Sequence, residues 1–316
     1  MSSTSSFVVA LDVGGTSMKG GLVSETGTVL LSERRSTPRA EGPEAVVAAI
    51  RAFISHLAAS GDGTPAGVGL AVPGLVSEDT ALYAANLGWS EVPATDFTEL
   101  DVPVILGHDV RTGGLAESVL GAGRGVPDFL FLPIGTGIAG AMIIHGEPYG
   151  GASGWGGEIG HIPVFPDGEQ CACGQLGCLE TYASAASVGR RYSQRAGVEG
   201  VRAEQVVASD DPVAIEVWDD AVEALSLALA TYTLLLDPSM IVLGGGLAEA
   251  GPALFDPVRT RLVKRLTFRD APPLLPAALG VDAGMLGAAL LGWRAAGRPD
   301  LGAGWDVEVR SAPLVS

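Results

Sequence analysis

Three apolar stretches of this chain run directly into glycine-rich turns, which restricts it to folds that bring buried strand ends to a sharp reversal or to a ligand. Residues 7–11 lead into Asp12-Val-Gly-Gly-Thr16, residues 129–134 into Gly135-Thr-Gly137, and residues 240–243 into Gly244-Gly-Gly246. Strand patterning resumes after the first two, at 20–23 and 141–144, so each Gly-Thr turn reads as the bend of a hairpin. The same strand–Gly/Thr–strand unit thus occurs in both halves, which predicts an internally duplicated α/β architecture. Further strands are expected at 67–72, ending at Pro73-Gly74, and at 102–106, ending at His108-Asp109. Helices are expected over 43–59 (Val46, Ile50, Phe53 and Leu57 on one face), from Asp109 through Leu120, over 213–236 (Val217, Ala221, Leu225, Leu229) and over 284–295. Residues 146–160 read as an irregular glycine-rich loop, a short helix as the sequel to Gly246, and Trp305–Val309 as an edge strand.

Composition removes several classes. A chain of 316 residues buries roughly three quarters of its unfolded surface and needs no staples. Forty-five glycines without a G-X-Y period exclude collagen, and 47% hydrophobic content excludes disorder. A net charge of −17 argues against nucleic acid as a partner. The N-terminus lacks the basic region of a signal peptide, and 129–144, the most apolar long stretch, is broken by Pro133 and glycines. A cytoplasmic protein with reduced thiols and no membrane partner is expected.

Glycine lets backbone N–H groups approach an anion, a turn hydroxyl adds a donor, and an acidic strand end such as Asp12 can hold Mg²⁺, usually through water. Any one of these turns could be a hairpin without a ligand; three at strand ends favour a nucleotide cleft. None is a P-loop. Gly135-Thr-Gly-Ile-Ala-Gly140 approaches a dinucleotide fingerprint, but strand follows it rather than helix. Lys19 reads as a solvated strand residue, with a reach to phosphate as the alternative.

All three cysteines lie within eight residues, and with His161 they form H-x9-C-x-C-x4-C: His161, Cys171, Cys173 and Cys178. Three thiolates and an imidazole suit a closed, structural tetrahedral Zn²⁺ site; the alternative is three buried free thiols.

Together these residues resemble the ROK family (repressor, open reading frame, kinase) within the actin-like, sugar-kinase and hsp70 superfamily. The resemblance rests on Asp12-Val-Gly-Gly-Thr16, on Gly154-Trp-Gly-Gly-Glu-Ile-Gly-His161 running into Cys171-Ala-Cys-Gly-Gln-Leu-Gly-Cys-Leu-Glu180, and on matches at Pro73-Gly74, Asn86-Leu-Gly-Trp89 and Gly135-Thr-Gly137. It implies a two-domain actin-like ATPase fold with a duplicated core. The small N-terminal domain would span 1–110 and the large domain with the zinc site 111–290, with 290–316 packing back on the former. It implies ATP-dependent phosphorylation of a hexose, most often glucose, by a homodimer or homotetramer. Asp109 would be the general base. Asn86, His108, Asp109, Glu158, His161 and Glu180 would contact the sugar. Asp12, Gly14, Gly15, Thr16, Gly135, Thr136 and Gly137 would face phosphates and Mg²⁺, and Gly244, Gly245 and Gly246 the nucleoside. His161 would ligate zinc through one ring nitrogen and point the other at the sugar.

The catalytic turn departs from the family pattern. His108 stands where the family has Asn, which puts the sugar's identity in play and offers His108 as an alternative base. Arg111 is also unusual and reads as a surface residue. Trp89 serves equally as core or as stacking platform. The other readings are a kinase for N-acetylmannosamine, N-acetylglucosamine, mannose or fructose, or a non-catalytic sugar sensor. Polyphosphate is a less suitable donor than ATP for so acidic a surface.

Overall fold

The computed structural model describes residues 6–306. In chain order the elements are β1 (Phe7–Val13), β2 (Ser17–Ser24), β3 (Val29–Ser36), α1 (Pro43–Ala59), β4 (Val68–Val72), β5 (Leu75–Val76), β6 (Thr80–Ala84), β7 (Trp89–Pro93), β8 (Val104–His108) and α2 (Asp109–Val119). There follow β9 (Phe129–Pro133), β10 (Ala141–Ile144), β11 (Glu147–Tyr149), α3 (Leu179–Ala183), α4 (Ala185–Ala196), α5 (Ala203–Val207) and α6 (Pro212–Leu236). The last are β12 (Ile241–Gly244), α7 (Pro252–Arg265), β13 (Leu274–Pro276) and α8 (Ala283–Ala295). The chain forms two compact units, one taking in residues up to 125, 146–155 and the segment from 278, the other 126–145 and 156–277. Among the described residues no helix is long and apolar enough to cross a membrane.

In the first unit the sheet order is β3-β2-β1-β4-β8, with β1, β4 and β8 parallel and β1-β2-β3 an antiparallel meander. β1 and β4 are apolar almost throughout because both faces of the sheet are covered. One side packs α1 through Val46, Ile50, Phe53, Ile54 and Leu57, the helical stripe its sequence predicts. The other side packs α8, and here the contact is backbone on backbone. A Cβ on Gly69 of β4 would lie 1.9 Å from the carbonyl oxygen of Ala288, so the helix lies against the strand at a distance only glycine permits. Part of the glycine excess thus serves packing rather than phosphate.

α2 is tied to the approach to α8 by Glu117, a fully buried carboxylate. Its Oε1 accepts from the N–H of Leu279 (2.9 Å), and its Oε2 from those of Ala122 (2.8 Å) and Ala278 (3.2 Å). A small antiparallel sheet, β5-β6-β7, adds to this unit. Trp89 is core: it is buried and stacks edge-on against Phe97 at 5.6 Å. Lys19 is not a solvated residue, since it forms an ion pair with Asp282.

In the second unit β10, β9, β12 and β13 lie side by side, with β9 and β10 antiparallel and β9, β12 and β13 parallel. That wiring repeats β2, β1, β4 and β8, so the two Gly-Thr turns bend equivalent hairpins. α3 to α7 cover this sheet around a core that includes Leu225, Leu229, Ile241 and Leu243. The loop at 146–160 is not wholly irregular, for it contains β11 and ends in a 3₁₀ turn at Ile159–His161. Of the expected edge strand at 305–309, Trp305 is buried and donates its Nε1–H to the Glu25 carbonyl (2.8 Å), while 307–309 lie outside the described residues.

Candidate active site

In the first unit the carboxyl ends of the parallel strands bring the sequence-predicted residues to one edge. Asp12 pairs in register with Ala71, and Val72 with His108. Asp12, Pro73-Gly74 and His108-Asp109 therefore follow three adjacent strands, where open α/β sheets bind ligands. The turn after Asp12 is closed by Gly14 N–H to Ser17 O (3.0 Å) and held by Thr37, whose hydroxyl donates to Gly14 O (2.7 Å). Thr16 is exposed at its tip. Asn86 belongs to the same cluster, because a Cβ on Gly15 would lie 3.5 Å from its Nδ2.

Burial pushes the Asp12 carboxyl up to about 6, against the pull of Lys19 and Arg34. Its oxygens abut Gly284 in the first turn of α8, where a side chain would not fit. A carboxyl whose folded value is raised adds stability below its unfolded value near 4 and loses it as pH rises through about 6. Near pH 8 the ionised Asp12 therefore costs up to about 3 kcal/mol. Asp12→Asn is expected to raise the apo protein's Tm at pH 8 by about 5 °C, an advantage that shrinks towards pH 4. Differential scanning calorimetry across that range checks the sign; an advantage that stays flat with pH counts against the charge as its origin.

Asp109 opens α2. Its Oδ1 accepts from the N–H of Val110 (2.7 Å), and its side chain is partly accessible. His108 is buried at the helix N-cap, and burial, aided by the Arg111 charge, pushes its imidazole down to about 3, so it is neutral at physiological pH. Its Nδ1 lies 3.4 Å from the Arg111 backbone nitrogen and 3.2 Å from Asp109 Oδ1. One nitrogen cannot serve both at once: bare, it caps the helix; protonated, it donates to the carboxylate. Either way Nδ1 is occupied, and a sugar hydroxyl would have to use Nε2. Arg111 is more than the surface residue its position in the sequence suggests, since its guanidinium donates to Gly154 O at 2.9 Å.

In the second unit the other two glycine turns stand together. Ile134 N–H bonds Gly244 O (2.9 Å) and Leu247 N–H bonds Ile134 O (3.1 Å), so Gly135-Thr-Gly137 and Gly244-Gly-Gly246 are neighbours at one sheet end. Thr136 is exposed, as Thr16 is. Glu180 is bound to this end: its Oε2 accepts the N–H of Ile138 (2.7 Å) beside Gly137. One carboxylate oxygen of the expected sugar ligand is thus committed to the phosphate-type turn, a link with no sequence signature.

His161, Cys171, Cys173 and Cys178 converge, with ligand atoms all within 4.8 Å of one another. Cys173 Sγ–Cys178 Sγ is 3.6 Å and Cys171 Sγ–His161 Nδ1 is 3.9 Å. A tetrahedral zinc with bonds of about 2.3 Å to sulfur sets ligand–ligand edges of about 3.8 Å. The other imidazole nitrogen, Nε2, lies 4.0 Å from Glu158 Oε2. The cysteine loop is braced from behind. Arg191 donates to Glu169 (2.7 Å) and Asp220 (2.8 Å), and Tyr182 Oη accepts from the Glu169 N–H (2.6 Å). Burial and the Glu158 charge push the phenol of Tyr232, on α6, up to about 12, so it stays a hydrogen-bond donor near that carboxylate.

The family model for the ROK family matches residues 8–294. A glucokinase of Thermotoga maritima is 33% identical over 305 residues, covering 89% of this chain and 96% of the relative. An N-acetylgalactosamine kinase of a Shewanella species is 32% identical over 306 residues, covering 89% and 95%. Among solved structures, a ROK family glucokinase from Streptomyces griseus in complex with glucose and AMPPNP superposes with a TM-score of 0.79 at 31% identity, covering 91% of this chain and 99% of the other.

Proposed function

The chain belongs to the ROK family and is an ATP-dependent sugar kinase, and from that premise we propose that it phosphorylates a hexose, glucose foremost, with Asp109 as general base. The observation that carries the assignment is the partly accessible Asp109 carboxylate at the carboxyl edge of the first sheet, on the N-terminus of α2. In this reading Asp109 accepts the proton of the acceptor hydroxyl as its oxygen attacks the γ-phosphorus and the bond to the ADP oxygen breaks. Phosphoryl transfer asks mainly for positioning and charge stabilisation, so one base and well-placed donors suffice. Buried, neutral His108, with Nδ1 engaged by α2, is poorly placed to replace it.

Asn86, Glu158, His161 and the Oε1 of Glu180 supply the amide, imidazole and carboxylate groups that complement sugar hydroxyls. The turns at Gly14-Gly15-Thr16 and Gly135-Thr136-Gly137 would face phosphates with backbone N–H groups and hydroxyls, and Gly244–Gly246 the nucleoside. Asp12 fits Mg²⁺, because a half-buried carboxylate whose charge is disfavoured gains most from a nearby cation. Bound there with ATP, the ion would offset phosphate charge. The four-ligand cluster fits structural zinc by donor type and spacing, and its place in this reading is to orient His161 with Nε2 towards the sugar. We read the architecture as the actin-like one. Assembly into a homodimer or homotetramer belongs to the same reading, and exposed Leu235 and Phe268 are apolar surface such assembly would cover.

The N-acetylgalactosamine kinase among the relatives makes an N-acetylhexosamine the second candidate acceptor. ADP-release assays with glucose, mannose, fructose and the N-acetylhexosamines separate the readings. Glucose is expected to give the highest kcat/KM; a higher value for an N-acetylated sugar replaces glucose, and turnover with none overturns the assignment of a hexose acceptor.

A further inference from the structure

Trp155 stands apart from the other tryptophans. It is 56% exposed, whereas Trp89, Trp293 and Trp305 are 1–3% exposed and Trp218 is partly buried with its Nε1–H bonded to Ala253 O. An exposed aromatic alone signifies little, but this one is carried on pinned backbone. The carbonyl preceding it, that of Gly154, accepts the Arg111 guanidinium bond at 2.9 Å, and Gly150 also lies against that guanidinium. Gly154 has φ +80°, a backbone conformation that favours glycine, and it lies against the Leu75 side chain of β5, with a Cβ position 2.6 Å from Leu75 Cδ1. The segment is therefore held between β5 and α2, and Arg111 lies on α2 two residues after Asp109, within the same compact unit. The backbone that carries Trp155 is thus held in place while the indole itself stands largely in solvent.

We propose that Trp155 is a stacking platform for the acceptor sugar and that Arg111 is the positioning residue that fixes its height relative to Asp109. The inference rests on the sugar-kinase reading above. A pyranose ring carries an apolar face of C–H groups, and the electron-rich face of an indole complements it while the ring's edge hydroxyls remain free for carboxylates and amides. Arg111 acts through the backbone: it holds the Gly154 carbonyl and thereby the residue that follows.

Steady-state kinetics and fluorescence on the full-length protein test both parts. Trp155→Ala is expected to raise hexose KM about tenfold, with kcat and ATP KM within about twofold, and Trp155→Phe to keep hexose KM within about threefold. Arg111→Ala is expected to raise hexose KM in the same direction and Arg111→Lys to recover part of it. The double variant Arg111→Ala/Trp155→Ala should be no worse than Trp155→Ala alone, since both changes remove one interaction. In parallel, saturating glucose should shield wild-type fluorescence from acrylamide quenching, and the shielding should vanish in Trp155→Phe, where the remaining tryptophans are largely enclosed. Unchanged hexose KM in Trp155→Ala, or unshielded Trp155 in a wild-type protein that phosphorylates hexoses, overturns the platform and leaves the kinase reading intact. Additive effects of the two alanine changes overturn the role of Arg111. A wild-type protein that phosphorylates no sugar defeats the kinase reading itself, and the shielding measurement then still decides whether Trp155 meets a sugar.

Discussion

Asp109→Asn is expected to lower kcat by a factor of about 10² to 10⁴, the range general bases contribute, while hexose KM moves by only a few-fold. The substitution is nearly isosteric. The amide oxygen can still accept the Val110 N–H now bonded to Oδ1 at 2.7 Å, so the start of α2 should survive and the loss reports the missing proton acceptor. His108→Asn is the matched control. His108 is buried, its imidazole is held neutral by burial, and its Nδ1 faces the first turn of α2. Asn is itself a good N-cap, so the helix should form and the effect should fall on sugar KM and selectivity, with kcat within about tenfold. Pre-steady-state measurement of the phosphoryl-transfer step in both variants makes the comparison. Near-normal kcat in Asp109→Asn, with a collapse in His108→Asn, would transfer the base role to the histidine.

The second large effect concerns the cysteine cluster. Elemental analysis of tag-free protein is expected to find one zinc per chain. Cys173→Ala should lose that metal, lower Tm, and raise hexose KM about tenfold or more with a smaller change in kcat. The exposed position of Cys173 means that its removal leaves little cavity, so the change should report on the metal and not on packing. The physical link is short: Nδ1 of His161 lies 3.9 Å from Cys171 Sγ, and Nε2 lies 4.0 Å from Glu158. Freed from the metal, the imidazole could turn, and the sugar would have to order it on binding. A zinc-free variant with unchanged sugar kinetics would separate the metal from substrate binding altogether.

What the sequence disclosed, and what it withheld, follows from the range of the interactions. The hairpin turns at Gly15 and Gly135 were legible because strand, glycine and strand are contiguous. The α1 and α6 stripes were legible because helical spacing is local. β3 was harder, as an edge strand of largely polar, half-exposed residues with no buried alternation. The short helix expected after Gly246 is the 3₁₀ turn Gly246–Ala250, while α7 beyond it was hidden by Pro257 within it and by its many charged positions; β5 was hidden by its two-residue length, and β6 and β7 by partly exposed positions without an apolar run. The cysteine–histidine cluster was legible because three thiols and an imidazole within eighteen residues form a donor set that suits a tetrahedral metal. The bond from Glu180 to Ile138, the ion pair of Lys19 with Asp282 and the clasp of Arg111 on Gly154 join residues far apart in sequence. No pattern along the chain encodes such partners, which is why Arg111 and Lys19 looked like ordinary surface positions.

The contact of Gly69 with Ala288 acts as a ruler. Side chains that interdigitate can change rotamer and let a helix slide by an ångström; two backbones in contact have nothing to rearrange. α8 is therefore fixed lengthwise about one turn from its own beginning, and that beginning is where Gly284 meets the Asp12 carboxylate. A methyl group added at residue 69 would push the helix outward, and the displacement would reach Asp12 with little to absorb it. Tolerance to substitution along this line should then be governed less by hydrophobicity than by thickness.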